Sequence, residues 1–311
     1  MEKQINPLLE CSHVSKQKGS FILSDINFTL EPGYILGVIG RNGSGKSTLL
    51  RILLGSCRLD SREAGDVRLN GVSVKEDMVE YKRQIAYVLN ETPFSPWMNT
   101  RDCGRIYGNY YPDFSRARYE RFLKEFEISE KACVKNLSKG QQMKQQLAFA
   151  LSYGAKLYIL DEPAGNLDME FRETFYSYIR KLTEDGTRGV IYVSHLVDEL
   201  EQFADYILWL SAEEKDSVKK GTQRYFGSME ELREDFQLVE ADRKDASEIK
   251  REAIAGIRKR DSHQEMLVQI PRKELSEQLR KVSRYGTLKE IMYYVEKGEK
   301  ENETDMSGAV D

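Results

Sequence analysis

A chain of 311 residues with 40% hydrophobic and 32% charged side chains holds enough apolar material for one large core plus an appendage, since single cores stop growing at roughly 250–300 residues. A formal net charge of −4 sets up no global basic field, which argues against nucleic acid as a partner. Cys11, Cys57, Cys103 and Cys133 lie far apart with no Cys-x-x-Cys pair, so spacing favours free thiols over a zinc site or a disulfide framework. The polar N-terminus lacks the basic start and apolar run of a secretory signal. The longest apolar runs, Tyr34–Ile39, Leu157–Leu160 and Gly189–Val193, are far shorter than the roughly 20 residues that span a bilayer, so any membrane role is expected to come through a partner.

In chain order, Leu9 to Leu30 alternates apolar and polar residues around the turn-like Lys18-Gly19-Ser20, which predicts antiparallel hairpin strands. From about Leu8 to Leu210, β-branched runs alternate with longer amphipathic stretches, the pattern of an α/β domain with a mostly parallel sheet. Tyr34–Ile39 reads as a buried strand, and Ser47–Leu54 as a helix closed by Gly55. Between about 92 and 154 the spacing of Tyr119, Phe122, Leu123 and Phe126 is helical, which predicts a helical subdomain inserted into that core. Residues 1–230 thus form the main domain. Residues 231–297, with a strand candidate at Met266–Ile270, read as a small α+β accessory domain, and the polar, acidic 298–311 as a disordered tail.

The chemistry begins at Gly40-Arg41-Asn42-Gly43-Ser44-Gly45-Lys46-Ser47-Thr48. Gly, four residues, Gly, Lys and Ser follow a strand and open a helix, the context a phosphate-binding loop requires. Glycines let bare N–H groups wrap phosphates, and the helix N-terminus points its positive end at them. Lys46 supplies a point charge toward the terminal phosphates and Ser47 a hydroxyl for Mg²⁺. A second element, Leu157–Leu160, ends in Asp161-Glu162-Pro163, placing carboxylates at a strand's carboxyl end, where α/β sheets bind ligands. Asp161 is expected to hold Mg²⁺ and Glu162 to polarise the attacking water. An isolated acidic pair after a strand is more often a solvated loop, so its weight comes from the loop upstream.

Leu137-Ser138-Lys139-Gly140-Gln141 resembles the signature of ABC ATPases, Leu-Ser-Gly-Gly-Gln, with Lys139 in place of the first Gly. Ala164-Gly165-Asn166-Leu167-Asp168 resembles the family's D-loop, and His195, after Val190–Val193, its switch histidine. Ile85–Asn90 resembles the segment entering the Q-loop, with Asn90 where glutamine is usual, a third candidate contact to Mg²⁺ beside Ser47 and Asp161. Lys18 stands where the family carries an adenine-stacking aromatic; Phe21 either supplies that ring or belongs to the core. The resemblance covers about residues 8–230.

This resemblance implies a P-loop NTPase fold that binds and hydrolyses MgATP, with Glu162 and His195 catalytic. It further implies a second ATPase subunit whose nucleotide meets Ser138, Lys139, Gly140 and Gln141 in trans, and a membrane-spanning subunit that holds the chain peripherally on the inner, cytoplasmic face of the cell membrane. In the family the region of Pro93–Met98 touches that subunit, so Phe94 or Trp97 is expected at the contact, unless both pack inside the subdomain. Tyr110–Phe114, the signature and Gly286–Met292 resemble ABC-2-type exporters, some of which handle amphipathic or antimicrobial peptides. The rival readings are a soluble ABC ATPase and a regulatory module that binds ATP without hydrolysing it.

Overall fold

The computed structural model describes residues 6–60, 64–215, 218–241, 249–259 and 264–307. They fall into two compact units, Met1–His195 with Phe203–Phe226, and Leu196–Gln202 with Gly227–Asp311. The sequence reading divides the chain at 230; nothing in the local pattern marks Leu196–Gln202 as part of the second unit.

The first unit contains β1 (Leu9–Lys18), β2 (Phe21–Leu30), β3 (Ile35–Gly40), α1 (Lys46–Leu53), β4 (Asp66–Leu69), β5 (Val72–Ser73), α2 (Met78–Arg83) and β6 (Ile85–Val88). It continues with α3 (Thr100–Tyr107), α4 (Arg116–Glu125), α5 (Lys139–Ala150), β7 (Leu157–Asp161), α6 (Met169–Thr183) and β8 (Gly189–Val193); after α7 (Val197–Phe203) come β9 (Tyr206–Lys215) and β10 (Val218–Ser228). The sheet has ten strands in the order β5-β4-β1-β2-β10-β9-β3-β8-β7-β6. Strands β6, β7, β8, β3 and β9 are parallel, whereas β2, β1, β4 and β5 pair antiparallel. The sheet therefore joins a parallel core to an antiparallel hairpin region, as the sequence reading expects. The parallel strands are covered on both faces and so read as unbroken apolar runs. Leu36, Ile39, Ile159, Leu160, Ile191 and Leu208 are fully buried, each stabilising by about 1.5–3 kcal/mol.

Two features of this unit place the chemistry. The parallel strands β3 and β7 flank β8 and run the same way, so the loops after Gly40, Asp161 and Val193 leave the same end of the sheet. The helical insertion, α3 to α5, is held together by rings: Phe149 of α5 packs against Phe94, Tyr111, Phe114, Tyr119 and Tyr153.

The second unit contains α7, α8 (Met229–Asp235), β11 (Phe236–Ala241), β12 (Ile254–Lys259), β13 (Gln264–Gln269), α9 (Glu277–Lys281), β14 (Ser283–Tyr285) and α10 (Leu288–Ser307). Its four strands form a separate antiparallel sheet, β12-β13-β11-β14, over a core of Val239, Met266, Val268, Leu275 and Leu279. Helix α10 runs on through residues 298–307, where the sequence reading expects a disordered tail. Extending a helix already nucleated on packed residues adds one hydrogen bond per residue without a new nucleation cost, and the run holds no proline to break it. Residues 308–311 of that expected tail lie outside the described residues. None of the helices among the described residues is long and apolar enough to cross a membrane.

Candidate active site

A cleft of about 480 Å³ is lined by Phe21, Arg41, Asn42, Gly43, Gly45, Lys46, Ser47, Thr48, Asn90, Asp161 and Glu162. Residues far apart in sequence thus converge on one place. At the loop's end Gly45 is the N-cap of α1 in a left-handed conformation, φ 100°, with no side-chain cap. A Cβ there would lie 2.7 Å from Leu23 Cδ1 and 2.9 Å from Phe21 Cζ, so only glycine fits both the backbone and the packing. The first turn of α1 consequently presents uncapped N–H groups and no acidic side chain, the environment an anion prefers. Lys46 Nζ donates to the carbonyls of Gly40 and Arg41, which keeps its charge over the loop.

Asp161 is the last residue of β7 and pairs across to Val193. Burial holds its carboxyl above the ordinary aspartate range, the neighbouring Glu162 charge adds to this, and Lys46 pulls the other way. Glu162 follows in the left-handed region, φ 51°, a conformation costing a non-glycine residue about 1–3 kcal/mol and concentrated at functional sites. Its N–H donates to Val193 O at 2.9 Å. Its carboxylate is held at both oxygens: Oε1 accepts from the His195 N–H at 3.0 Å and Oε2 meets His195 Nδ1. The two residues expected to be catalytic are therefore in contact.

The signature residues do not line this cleft. Ser138 is the N-cap of α5, in a reciprocal capping box with Gln141: Ser138 N–H donates to Gln141 Oε1 at 3.0 Å and Gln141 N–H to Ser138 Oγ at 3.2 Å. Gly140 is needed for close approach, since a Cβ there would lie 2.6 Å from Asn166 O. Asp168 caps α6 by accepting from Phe171 N–H at 2.8 Å, and Lys144 of α5 reaches its other oxygen at 3.1 Å. These contacts hold its carboxyl below the usual range. Phe21 lines the cleft and also packs against the core. Of the two candidate contact residues, Phe94 is buried against Tyr107 and Phe149. Trp97 is 76% exposed, with Lys135 Nζ 3.9 Å from its ring centroid.

Two residues of α5 escape sequence reasoning. Lys144 ties the helix to Asp168, and Gln146 accepts from the Leu89 N–H at 2.9 Å and donates to the Leu89 C=O at 3.0 Å. The available signal is the glutamine-rich run Gln141-Gln142 and Gln145-Gln146 in a helix whose Gln145 and Gln146 are buried.

The donor set suits a magnesium nucleotide. Among the described residues no three His, Cys, Asp or Glu side chains converge on a metal cage. Instead a hydroxyl, an amide and a carboxylate face the cleft, the sparse set Mg²⁺ takes when phosphates complete its shell.

A family model described as ABC transporter matches residues 23–165. The chain carries an ABC transporter nucleotide-binding domain. This cassette is 28% identical over 236 residues to the ABC transporter ATP-binding protein YtrB of Bacillus subtilis (strain 168), spanning 75% of this chain and 76% of YtrB. It is 30% identical to the sulfate/thiosulfate import ATP-binding protein CysA of Synechococcus elongatus and to the ribose import ATP-binding protein RbsA of Hahella chejuensis, over 70% and 68% of this chain. The chain spans only 64% and 44% of those two relatives. In fold, the cassette is similar to a structure titled as the ATP binding subunit of an ABC transporter, with TM-score 0.64, 24% identity, 73% of this chain and 92% of the other. It is also similar to the dimeric ATP-binding cassette MJ0796 in a post-hydrolysis state bound to ADP and Pi, with TM-score 0.60, 22% identity, 71% of this chain and 98% of the other.

Proposed function

We propose that the chain binds and hydrolyses MgATP and drives a separate membrane-spanning subunit, from which it hangs on the cytoplasmic face of the cell membrane. The observation that carries this is the meeting of the phosphate loop, Asp161 and Glu162 in one cleft, with the Glu162 carboxylate oriented at both oxygens by His195. Gly43, Ser44, Gly45 and Lys46 would take the phosphates, and Ser47, Asp161 and Asn90 would face the metal, whose contribution is to neutralise charge on the phosphates. Glu162 then holds and receives the proton of the attacking water, while His195 fixes the direction of its carboxylate. The regulatory reading is disfavoured because Lys46, Asp161, Glu162 and His195 are all present and assembled.

Since Ser138 to Gln141 do not line the cleft of their own chain, completion of the site calls for a second ATPase subunit, as in the dimeric relative. Exposed Trp97, three residues on from Phe94, which lines a pocket of about 140 Å³ with Tyr87, Tyr107 and Phe149, is the surface we assign to the membrane subunit. Export is the direction we favour, on the resemblance of Tyr110–Phe114 and Gly286–Met292 to ABC-2-type exporters; CysA and RbsA are importers by name, so transport into or out of membrane vesicles is the measurement that decides it.

Glu162→Gln is expected to keep nucleotide affinity and to lower steady-state hydrolysis by about 10²–10⁴-fold, the usual worth of a positioned general base. Lys46→Ala should instead weaken nucleotide binding itself. Wild-type turnover in Glu162→Gln would remove Glu162 from the chemistry.

A further inference from the structure

Strand β6 is the edge of the ten-stranded sheet, and its ladder with β7 ends at the pair Val88 and Leu160. The next residue, Leu89, is left without a backbone partner for that rung. Gln146 supplies both halves of it: the side-chain carbonyl accepts from Leu89 N–H at 2.9 Å and the side-chain NH₂ donates to Leu89 C=O at 3.0 Å. Gln146 is 2% exposed, and its primary amide carries the same carbonyl acceptor and N–H donor as the backbone group it replaces. The residue this rung delivers is Asn90, which lines the cleft with Ser47, Asp161 and Glu162.

Gln146 stands on α5, eight residues beyond the Ser138 cap. At 1.5 Å per residue the two are separated by about 12 Å along one rigid helix. The same helix therefore carries the signature turn at its start and the anchor of Asn90 two turns later. We propose that Gln146 is a positioning residue for Asn90, setting how far the Asn90 amide reaches toward the metal and tying that reach to the place of the signature helix. Asparagine is one methylene shorter than glutamine, so the reach of its amide depends more strictly on where the backbone of Leu89 is held. The inference rests on the reading of the cleft as a MgATP site.

The test compares wild type with Gln146→Met, which keeps length and apolar packing but loses the donor–acceptor pair, and with Gln146→Glu, which keeps the acceptor for Leu89 N–H and sets a carboxylate against its C=O. Hydrogen exchange of residues 89–92 is read in the nucleotide-free protein. Binding of a fluorescent ATP analogue is titrated with and without Mg²⁺. Faster exchange at Leu89 is expected in Gln146→Met, with a several-fold higher Mg²⁺ concentration for half-maximal binding and unchanged metal-free affinity in both variants. In an Asn90→Ala background the Gln146 substitutions should add nothing to the Mg²⁺ requirement. A merely structural rung would lower the melting temperature and leave the Mg²⁺ dependence alone; that result, or additive effects of Asn90→Ala and Gln146→Met, overturns the inference. Should Gln146→Met fail to fold, Gln146→Glu carries the comparison. A wild type that shows no Mg²⁺-dependent binding would overturn the reading of the cleft and the inference together, whereas Mg²⁺-dependent binding identical in wild type and folded variant would overturn only the inference.

Discussion

At the scale of single residues, the structure separates neighbours that the sequence leaves equivalent. Phe94 and Trp97 stand three residues apart in one Pro-broken loop, and nothing in their types decides which faces inward. The deciding partners are Tyr107 and Phe149, which reach Phe94 only because α3 and α5 fold over the loop. Trp97 is left with one face against Lys135 and the rest in solvent. Large exposed aromatic groups are favoured anchors at interfaces. Trp97→Ala is therefore expected to weaken co-purification of the membrane subunit by tenfold or more, roughly a 1.4 kcal/mol loss, while basal ATP hydrolysis by the isolated chain stays as in wild type. Undiminished co-purification would move the contact elsewhere on the surface.

At the scale of elements, what was legible follows from local chemistry, and what was missed depends on distant parts of the chain. Strands β3, β7 and β8 were readable because burial on both faces leaves unbroken apolar runs, and α1 because its start is fixed by the glycine loop and its end by Gly55. The place of β10 was not, since its pairing with β2 joins residues such as Lys219 and Phe21 that share no local pattern. Helix α10 offers a middle case. Its start, Thr287-x-x-Glu290, is a capping-box spelling, and the structure has Glu290 N–H donating to Thr287 Oγ1 at 3.2 Å and Thr287 N–H to Glu290 Oε2 at 2.9 Å. Arg284 adds a forked pair to the same carboxylate, and these bonds, the Arg284 one foremost, pull Glu290 down to about 2. A depressed carboxyl stabilises the folded state fully above its unfolded value, near 4.3, and loses that contribution as pH falls through the folded value. Glu290→Gln should thus unfold the second unit at lower urea concentration than wild type at pH 7, by an amount on the order of 1 kcal/mol for such a partly exposed group. The difference should shrink between about pH 4.3 and pH 2. A gap that persists unchanged at pH 2 would place the stabilisation in shape rather than charge.

For the whole molecule the question is which nucleotide each signature serves. In one chain the Ser138 turn is braced internally, by its own capping box, by the approach of Gly140 to Asn166 and by Lys144 on Asp168, yet it contributes nothing to the cleft that holds Lys46 and Glu162. A braced helix start that lines no cleft of its own chain would meet a phosphate most simply in a twofold dimer, in which each chain's turn closes the other's cleft. Two defective chains then become informative. Lys46→Ala spoils the phosphate loop. Ser138→Asp keeps a good N-cap and sets a carboxylate against the phosphate, so the helix should survive while the partner's site fails. Each variant alone is expected to be nearly inactive, because in either homodimer both sites contain a damaged half. Mixed in equal amounts, half the dimers carry one chain of each kind. In these, one site combines both lesions and the other combines an intact loop with an intact signature, so turnover should return to roughly a quarter of wild type if sites act independently. If Ser138 served the nucleotide of its own chain, every chain in the mixture would keep its defect and no activity would return. The measurement is steady-state phosphate release from the mixture, over a range of total protein that allows subunits to exchange.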